Sequence, residues 1–260
     1  MPRLYIPDIF IKEGQISITA EKARYLISVL RCKKGDELII FDGRGNCFSS
    51  EIIKVNRKEV IVEVVEKFQC NAESPVNIIL TQGILKGQKM DMVIQKTTEL
   101  GVKEIIPLIT ERSHPRETRK VARWRRIAEE ATRQSGRTIV PIIHEPLRLN
   151  QFFEKIDRLN ENLKTGTQGN KEITGLIFWE EGGLSLKEVV HKFFSSPIHP
   201  FTHSPAFILI GPEGGFTKGE ASLAERKGFI ITSLGKRILR AETAAISAIA
   251  LVQFLLGDLG

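Results

Sequence analysis

Phe207-Ile208-Leu209-Ile210-Gly211-Pro212-Glu213-Gly214-Gly215-Phe216-Thr217-Lys218-Gly219-Glu220 decides how this chain is read. The first four residues are apolar without alternation, as in a strand buried on both faces. Gly211, Gly214 and Gly215 then let the backbone come close to something and leave peptide groups unshielded. Thr217 and Glu220 have the T-x-x-E spacing of a capping box, which predicts a helix from about Lys218 that ends before Gly228. The order is strand, glycine loop, helix. Neither GxxxxGK[ST] nor GxGxxG in the right context accompanies it, so NTPase, kinase and Rossmann dehydrogenase readings lose support. A tight turn with no ligand is the plainer alternative, common for one Gly-Gly pair and less so for a glycine run after a central strand.

The pattern recurs downstream. Gly228-Phe229-Ile230-Ile231-Thr232 reads as a strand and Ser233-Leu234-Gly235-Lys236-Arg237 as a second loop, and Ile238-Leu239-Arg240-Ala241-Glu242-Thr243 leads into an Ala-rich helix reaching Leu256. Two strand-end loops so close in sequence converge at one edge of a parallel sheet, the usual place for a ligand. Residues 209–245 are therefore the expected site, with Glu213, Arg237, Arg240 and Glu242 as its charged candidates. Each can equally be a solvated or capping charge, and the helix dipole alone favours Glu242 near a helix N-terminus.

Working outward, residues 76–81 read as a buried strand, 90–100 as a helix closed by Gly101, and 102–109 as the next strand. Strands alternating with helices predict an α/β layer fold with a mainly parallel sheet. Residues 119–135 form an amphipathic helix closed by Gly136, with Val121, Trp124, Ala128 and Ala131 on one stripe and Arg123, Arg126, Glu130, Arg133 and Arg137 on another. Residues 163–171 and 195–205 have the Gly, Asn and Pro content of surface loops. Residues 71–75 look like a linker. Ahead of them, Gln15–Thr19, Glu37–Phe41, 47–55 and 59–65 read as strands, with a hairpin signal at Asp42-Gly43-Arg44-Gly45-Asn46 and a helix over 20–31. A small β-barrel over 1–72, followed by an α/β domain over 76–260, is the expected organisation.

Composition narrows the classes. A chain of 260 residues, 42% hydrophobic and 27% charged, can bury a substantial core. No window approaches the ~18 to 20 apolar residues of a membrane span, and the N-terminal residues lack the apolar core of a signal peptide. Cys32, Cys47 and Cys70 have no CxxC spacing, and the five histidines are scattered through turn-like sequence. A reduced cytoplasm and no metal are expected. Of the net charge of +7, most resides in residues 111–137, which carry nine basic and four acidic side chains. Such a local excess suits a polyanion, because each Lys or Arg on a phosphate releases a counterion, and it suits a salt-bridged solvated helix as well.

Gly211-Pro212-Glu213-Gly214-Gly215-Phe216, followed by Leu234-Gly235-x-Arg237-Ile238-Leu239-Arg240-x-Glu242-Thr243-Ala244, closely resembles the SPOUT-superfamily methyltransferases that act on N3 of a uridine in small-subunit (16S) ribosomal RNA. The resemblance spans the chain: Val29-Leu30-Arg31, Gly35-Asp36 and Phe41-Asp42-Gly43 are similar to the family's N-terminal domain. So are Gln95-Lys96-Thr97-Thr98-Glu99-Leu100-Gly101, Glu111-Arg112-Ser113 and residues 129–137. Tyr25 departs from it, standing where a histidine is expected. The resemblance implies a PUA-like or OB-like barrel joined to a SPOUT-type α/β domain with a trefoil knot, a threading no sequence pattern reveals. It implies S-adenosylmethionine as cofactor, contacted around Ile210, Gly211, Pro212, Glu213, Gly214 and Gly215, at Leu234 and Gly235, and at Ile238, Leu239 and Arg240. It also implies a homodimer.

For such chemistry the proton on uridine N3 must leave. Arg240 or Arg112 is expected to stabilise charge on the uracil oxygens while Glu242 or a water accepts the proton. RNA contacts are expected from Arg123, Arg126, Arg133 and Arg137, with Arg3, Arg24 and Arg31 on the barrel. The alternatives are a related methyltransferase acting on another RNA, or an RNA-binding ribosome-assembly factor without activity.

Overall fold

The computed structural model describes residues 1–70, 72–114, 118–164, 174–193 and 205–260. The loops expected at 163–171 and 195–205 lie outside the described residues except at their ends, and His199 and His203 lie outside them too. The chain divides into two compact units: Met1–Glu73 with Glu129–Val140, and Ser74–Ala128 with Pro141–Gly260.

The first unit is built on β1 (Arg3–Tyr5), β2 (Gln15–Thr19), β3 (Glu37–Phe41), β4 (Asn46–Val55) and β5 (Glu59–Gln69), ordered β1-β3-β4-β5-β2. Strict alternation in β2 buries Ile16 and Ile18 and exposes Gln15, Ser17 and Thr19. Register shifts between β4 and β5 at Ser49/Ser50 and Ile52/Lys54 bend that ladder. The sheet encloses a core that includes Leu4, Leu38, Ile40, Ile52, Val60 and Val62. The helix expected over 20–31 is instead a short α1 (Ala20–Arg24) that widens into a π-helical turn at Tyr25–Val29, closed by Leu30 N donating to Tyr25 O (3.0 Å). Ala23 and Leu26 still reach the core, so the apolar spacing was right and the hydrogen-bond pitch was not. Residues 138–140 join the same unit through backbone bonds, Val140 N to Gly43 O (3.1 Å) and Gly45 N to Thr138 O (3.3 Å).

The second unit is a parallel sheet of β6 (Ile78–Gly83), β7 (Glu104–Ile109), β8 (Ile142–Ile143), β9 (Leu147–Arg148), β10 (Thr174–Phe178), β11 (Leu184–Ser185), β12 (Ala206–Ile210) and β13 (Phe229–Ser233). Their order is β11-β13-β10-β12-β6-β7-β8, with β9 also beside β7. β6 and β12 are buried at every residue, as expected of central strands covered on both faces. The helices of this unit are α2 (Lys89–Glu99), α4 (Leu149–Lys164), α5 (Leu186–Phe193), α6 (Lys218–Arg226) and α7 (Ala241–Leu256), together with the part of α3 (Val121–Ser135) up to Ala128, the rest of α3 belonging to the first unit. Phe152 and Phe153 of α4 meet Phe207 and Phe229 edge-on, with centroids 5.7 and 5.4 Å apart, and so fasten α4 to the strands that carry both loops.

The stretch read as a linker is tied down at both of its central residues. Glu73, in the first unit, accepts from Arg137 Nη2 and the backbone of Thr138 and Ile139 (2.8 to 2.9 Å). Ser74, in the second, donates its hydroxyl to Gln253 Oε1 (2.7 Å), while the Gln253 amide donates to Leu100 O (2.7 Å). Among the described residues no helix is long and apolar enough to cross a membrane.

Candidate active site

Everything in this site belongs to the second unit. β12 delivers the chain to Gly211, whose carbonyl accepts from the buried Gln82 amide (3.1 Å) at the end of β6. A Cβ at Gly83 would sit 2.5 Å from Pro212 N, so β6 and the glycine loop touch backbone to backbone. The loop then turns, with Gly215 N donating to Pro212 O (2.9 Å) and Gly215 in the left-handed region at φ +66°. A Cβ there would collide with the Glu180 carboxylate. α6 opens with the expected capping box: Glu220 N donates to Thr217 Oγ1 (3.2 Å) and Thr217 N to Glu220 Oε2 (2.9 Å). The other Glu220 oxygen accepts from Glu111 N (2.9 Å), which fixes the turn after β7 to the start of α6.

That turn presents Arg112, whose Nη1 donates to Gly214 O (2.7 Å). On the other flank Trp179 Nε1 donates to Phe216 O (3.2 Å). Glu213 accepts from Lys86 N (2.9 Å) and from Lys89 Nζ (3.4 Å). Burial works to raise the Glu213 carboxyl, but the Lys86 amide and the Lys89 charge outweigh it and leave the group below its ordinary range. Lys89 Nζ also stands 3.9 Å from Glu242 Oε2, so one ammonium joins the glycine loop to the first turn of α7.

The two loops converge as expected, but not as neighbours: β10 lies between β12 and β13. The end of β10 and the loop after β13 enclose a small cleft of about 90 Å3. Leu234, Gly235, Ile238 and Leu239, all expected at a cofactor, line it. Arg237 lines it too, whereas Ile210, Gly211, Pro212, Glu213, Gly214, Gly215 and Arg240 do not; Gly215 abuts it through Glu180. Arg240 is exposed at the N-cap of α7. Sequence reasoning missed Phe178, Trp179, Glu180 and Lys89. The run Leu176-Ile177-Phe178-Trp179 ahead of Glu180-Glu181-Gly182-Gly183 was a legible strand-to-loop signal for the first three; nothing local marked Lys89.

A family model of the RNA methyltransferase domain matches residues 72–253. The chain belongs to the RNA methyltransferase family. A second model, the RNA methyltransferase PUA domain, matches residues 18–65. The chain is 35% identical over 263 residues to ribosomal RNA small subunit methyltransferase E of Buchnera aphidicola subsp. Acyrthosiphon pisum, covering 99% of this chain and 95% of that relative. Its fold is similar to the crystal structure of ribosomal RNA small subunit methyltransferase E from Neisseria gonorrhoeae bound to S-adenosylmethionine: TM-score 0.84, 32% identity, all of both chains covered. It is also similar to a Legionella pneumophila methyltransferase structure holding the same cofactor, with TM-score 0.81, 33% identity and 99% and 98% of the two chains covered.

In an RNA methyltransferase, exposed arginines matter, and the expected basic face divides on inspection. Arg126, Arg24 and Arg31 are exposed. Arg123 is exposed but bonded to Asp91 (2.8 Å). Arg133 pairs with Glu130, donates to Tyr25 Oη (2.6 Å) and lies over the Tyr25 ring at 5.0 Å, so the tyrosine at the expected histidine position serves as its stacking partner. Arg3 donates to Arg137 O (3.0 Å) and faces the Phe41 ring. Arg137 corrects the reading of a single solvated stripe: it is 2% exposed and paired with Glu73. Helical periodicity does not extend past Gly136, whose φ of +79° ends the helix and turns Arg137 inward.

Proposed function

We propose that this chain transfers the methyl group of S-adenosylmethionine to N3 of a uridine in small-subunit (16S) ribosomal RNA. The observation that carries the reading is the cleft at the ends of β10 and β13, in a chain similar along its whole length to a protein solved with that cofactor. The chemistry of the lining suits such a ligand. Leu234, Ile238, Leu239 and Phe178 offer apolar walls for an adenine ring, and Gly235, at φ +99°, leaves backbone groups unscreened for its polar edge. When bound, the cofactor supplies an electrophilic methyl on a sulfonium.

The protein's own task is the N3 proton, which must leave before the nitrogen has a useful lone pair. Glu242 is the carboxylate suited to accept it: its Oε2 has no hydrogen bond among the described residues and faces only the Lys89 ammonium, 3.9 Å away. Arg112 and Arg240, both exposed at the edge of the site, are suited to stabilise charge on the uracil oxygens. On this reading the RNA is held also by Arg24, Arg31, Arg123 and Arg126, with Arg3 and Arg133 bracing the first unit's surface. Arg137 is left to structure. The enzyme acts in the cytoplasm as a homodimer, and its C-terminal part carries the trefoil knot implied by the resemblance. Exposed Leu251, Phe254 and Leu255 on α7, with Met92 on the helix packed against it, support a second copy at that face.

Mass spectrometry of ribosomal RNA from a strain lacking the protein should show one methyluridine lost from the small subunit and restored by the wild-type gene. An unchanged modification profile would overturn the reading. In single-turnover assays with purified protein, Glu242→Gln should slow methyl transfer by about 100-fold or more with little change in cofactor affinity. An unaltered rate removes Glu242 as the base.

A further inference from the structure

A second cleft, separate from the cofactor lining, opens where β6 ends and α3 begins, with a volume of about 420 Å3. Its floor is Ile84, Leu85 and Trp124, each 3% exposed or less, and its rim is Lys86, His114 and Lys120, all exposed. No carboxylate lines it among the described residues. Another sizeable cleft, beside Thr110 and Gly219, sets Glu111 and Glu220 against Arg148 and Arg226, and has no such one-signed rim. A basic rim over a floor that includes an aromatic ring, here Trp124, is the arrangement that receives single-stranded nucleic acid, with the base against the floor and the phosphates on lysines.

Its location ties it to the reaction. Lys86 N donates to Glu213, and Gly83 abuts Pro212, so this wall and the glycine loop are one bonded piece. β12 lies between β10 and β6, so the cofactor cleft and this one flank the glycine loop along one sheet edge. Two strand spacings separate β10 from β6, roughly 10 Å. We infer that this cleft binds an unstacked nucleotide of the RNA substrate next to the one that is methylated, its base against the floor of Ile84, Leu85 and Trp124 and its phosphates on Lys86 and Lys120. Lys120 is already held at the rim by Gly87 O (3.2 Å). The inference rests on the proposed RNA methyl transfer and names a subsite of it.

Methylation of small-subunit particles by the wild type and by a Lys86→Ala/Lys120→Ala variant tests it. Both side chains are exposed, and the Lys86 amide that bonds Glu213 is retained. The variant should raise KM for the particle roughly tenfold and reduce the slope of log affinity against log salt by about two, one for each phosphate contact. Its maximal rate and its calorimetric affinity for S-adenosylmethionine should stay near wild type. A 4-thiouridine placed beside the target nucleotide should crosslink to the peptide carrying Ile84 and Leu85. Unchanged KM and salt slope in an active enzyme, or crosslinks confined to other peptides, overturn the subsite and leave the function standing. A wild type that binds the cofactor yet methylates no small-subunit RNA overturns the function and the subsite together.

Discussion

Glu73 shows how much one side chain can carry. Its carboxylate is half of a buried ion pair and also accepts from the amides of Thr138 and Ile139. Burial alone would raise its pKa, but the Arg137 guanidinium and the two amides outweigh burial and hold it at about 2, against an ordinary 4.5. A carboxylate with a depressed folded-state value stabilises the fold fully above the unfolded value and loses that contribution as pH falls through the folded one. The window here runs from about 4.5 down to about 2, and the contribution is lost progressively across it. Glu73→Gln should therefore unfold at lower denaturant near pH 7, with a difference from wild type that shrinks steadily towards pH 2. A difference independent of pH over that range would assign the effect to lost packing instead of charge. Acid sensitivity of this kind belongs to the first unit, since both partners lie within it.

At the scale of elements, α6 illustrates how a helix start can serve a site. Thr217 and Glu220 satisfy each other's backbone amides, and the spare Glu220 oxygen reaches the amide of Glu111. The next residue, Arg112, braces the glycine loop at Gly214. Thr217→Ala removes one side of the box and should cost about 1 kcal/mol in urea unfolding, largely recovered by Thr217→Ser. The Glu220 amide then loses its acceptor, while its carboxylate keeps the amides of Thr217 and Glu111; if the frayed first turn loosens the loop, cofactor affinity should fall in Thr217→Ala and return in Thr217→Ser. Equal affinity in all three proteins would show that the cap stabilises α6 without ordering the loop beyond it. α7 is the other functional element. Its buried side carries Ala245, Ala248 and Ile249 and the doubly bonded Gln253, while Leu251, Phe254 and Leu255 face outward. A helix apolar on nearly all sides must cover its second face with something.

For the whole molecule that something is, on the proposed reading, another copy of the chain. Phe254 is 60% exposed, so Phe254→Glu leaves the subunit core untouched while placing a charge in an apolar contact. Light scattering should show a dimer for the wild type and a shift towards monomer for the variant, with methyl transfer lost in parallel. A monomeric wild type, or a variant that remains fully dimeric, would place the contact elsewhere. What the amino-acid order determined by itself is local. The unbroken apolar run Phe207-Ile208-Leu209-Ile210, the glycines at 211, 214 and 215, and the Thr217/Glu220 spacing each dictate backbone conformation within a few residues, and the strand, loop and helix were therefore legible. Tertiary structure alone decided which distant residues meet: β10 inserted between the two loop-bearing strands, Lys89 between Glu213 and Glu242, and Arg137 turned onto Glu73 instead of out to solvent. These depend on long-range pairing and on burial of charge. Periodicity is blind to both, because a paired arginine in the core and a solvated one on a helix face are written with the same residue at the same spacing.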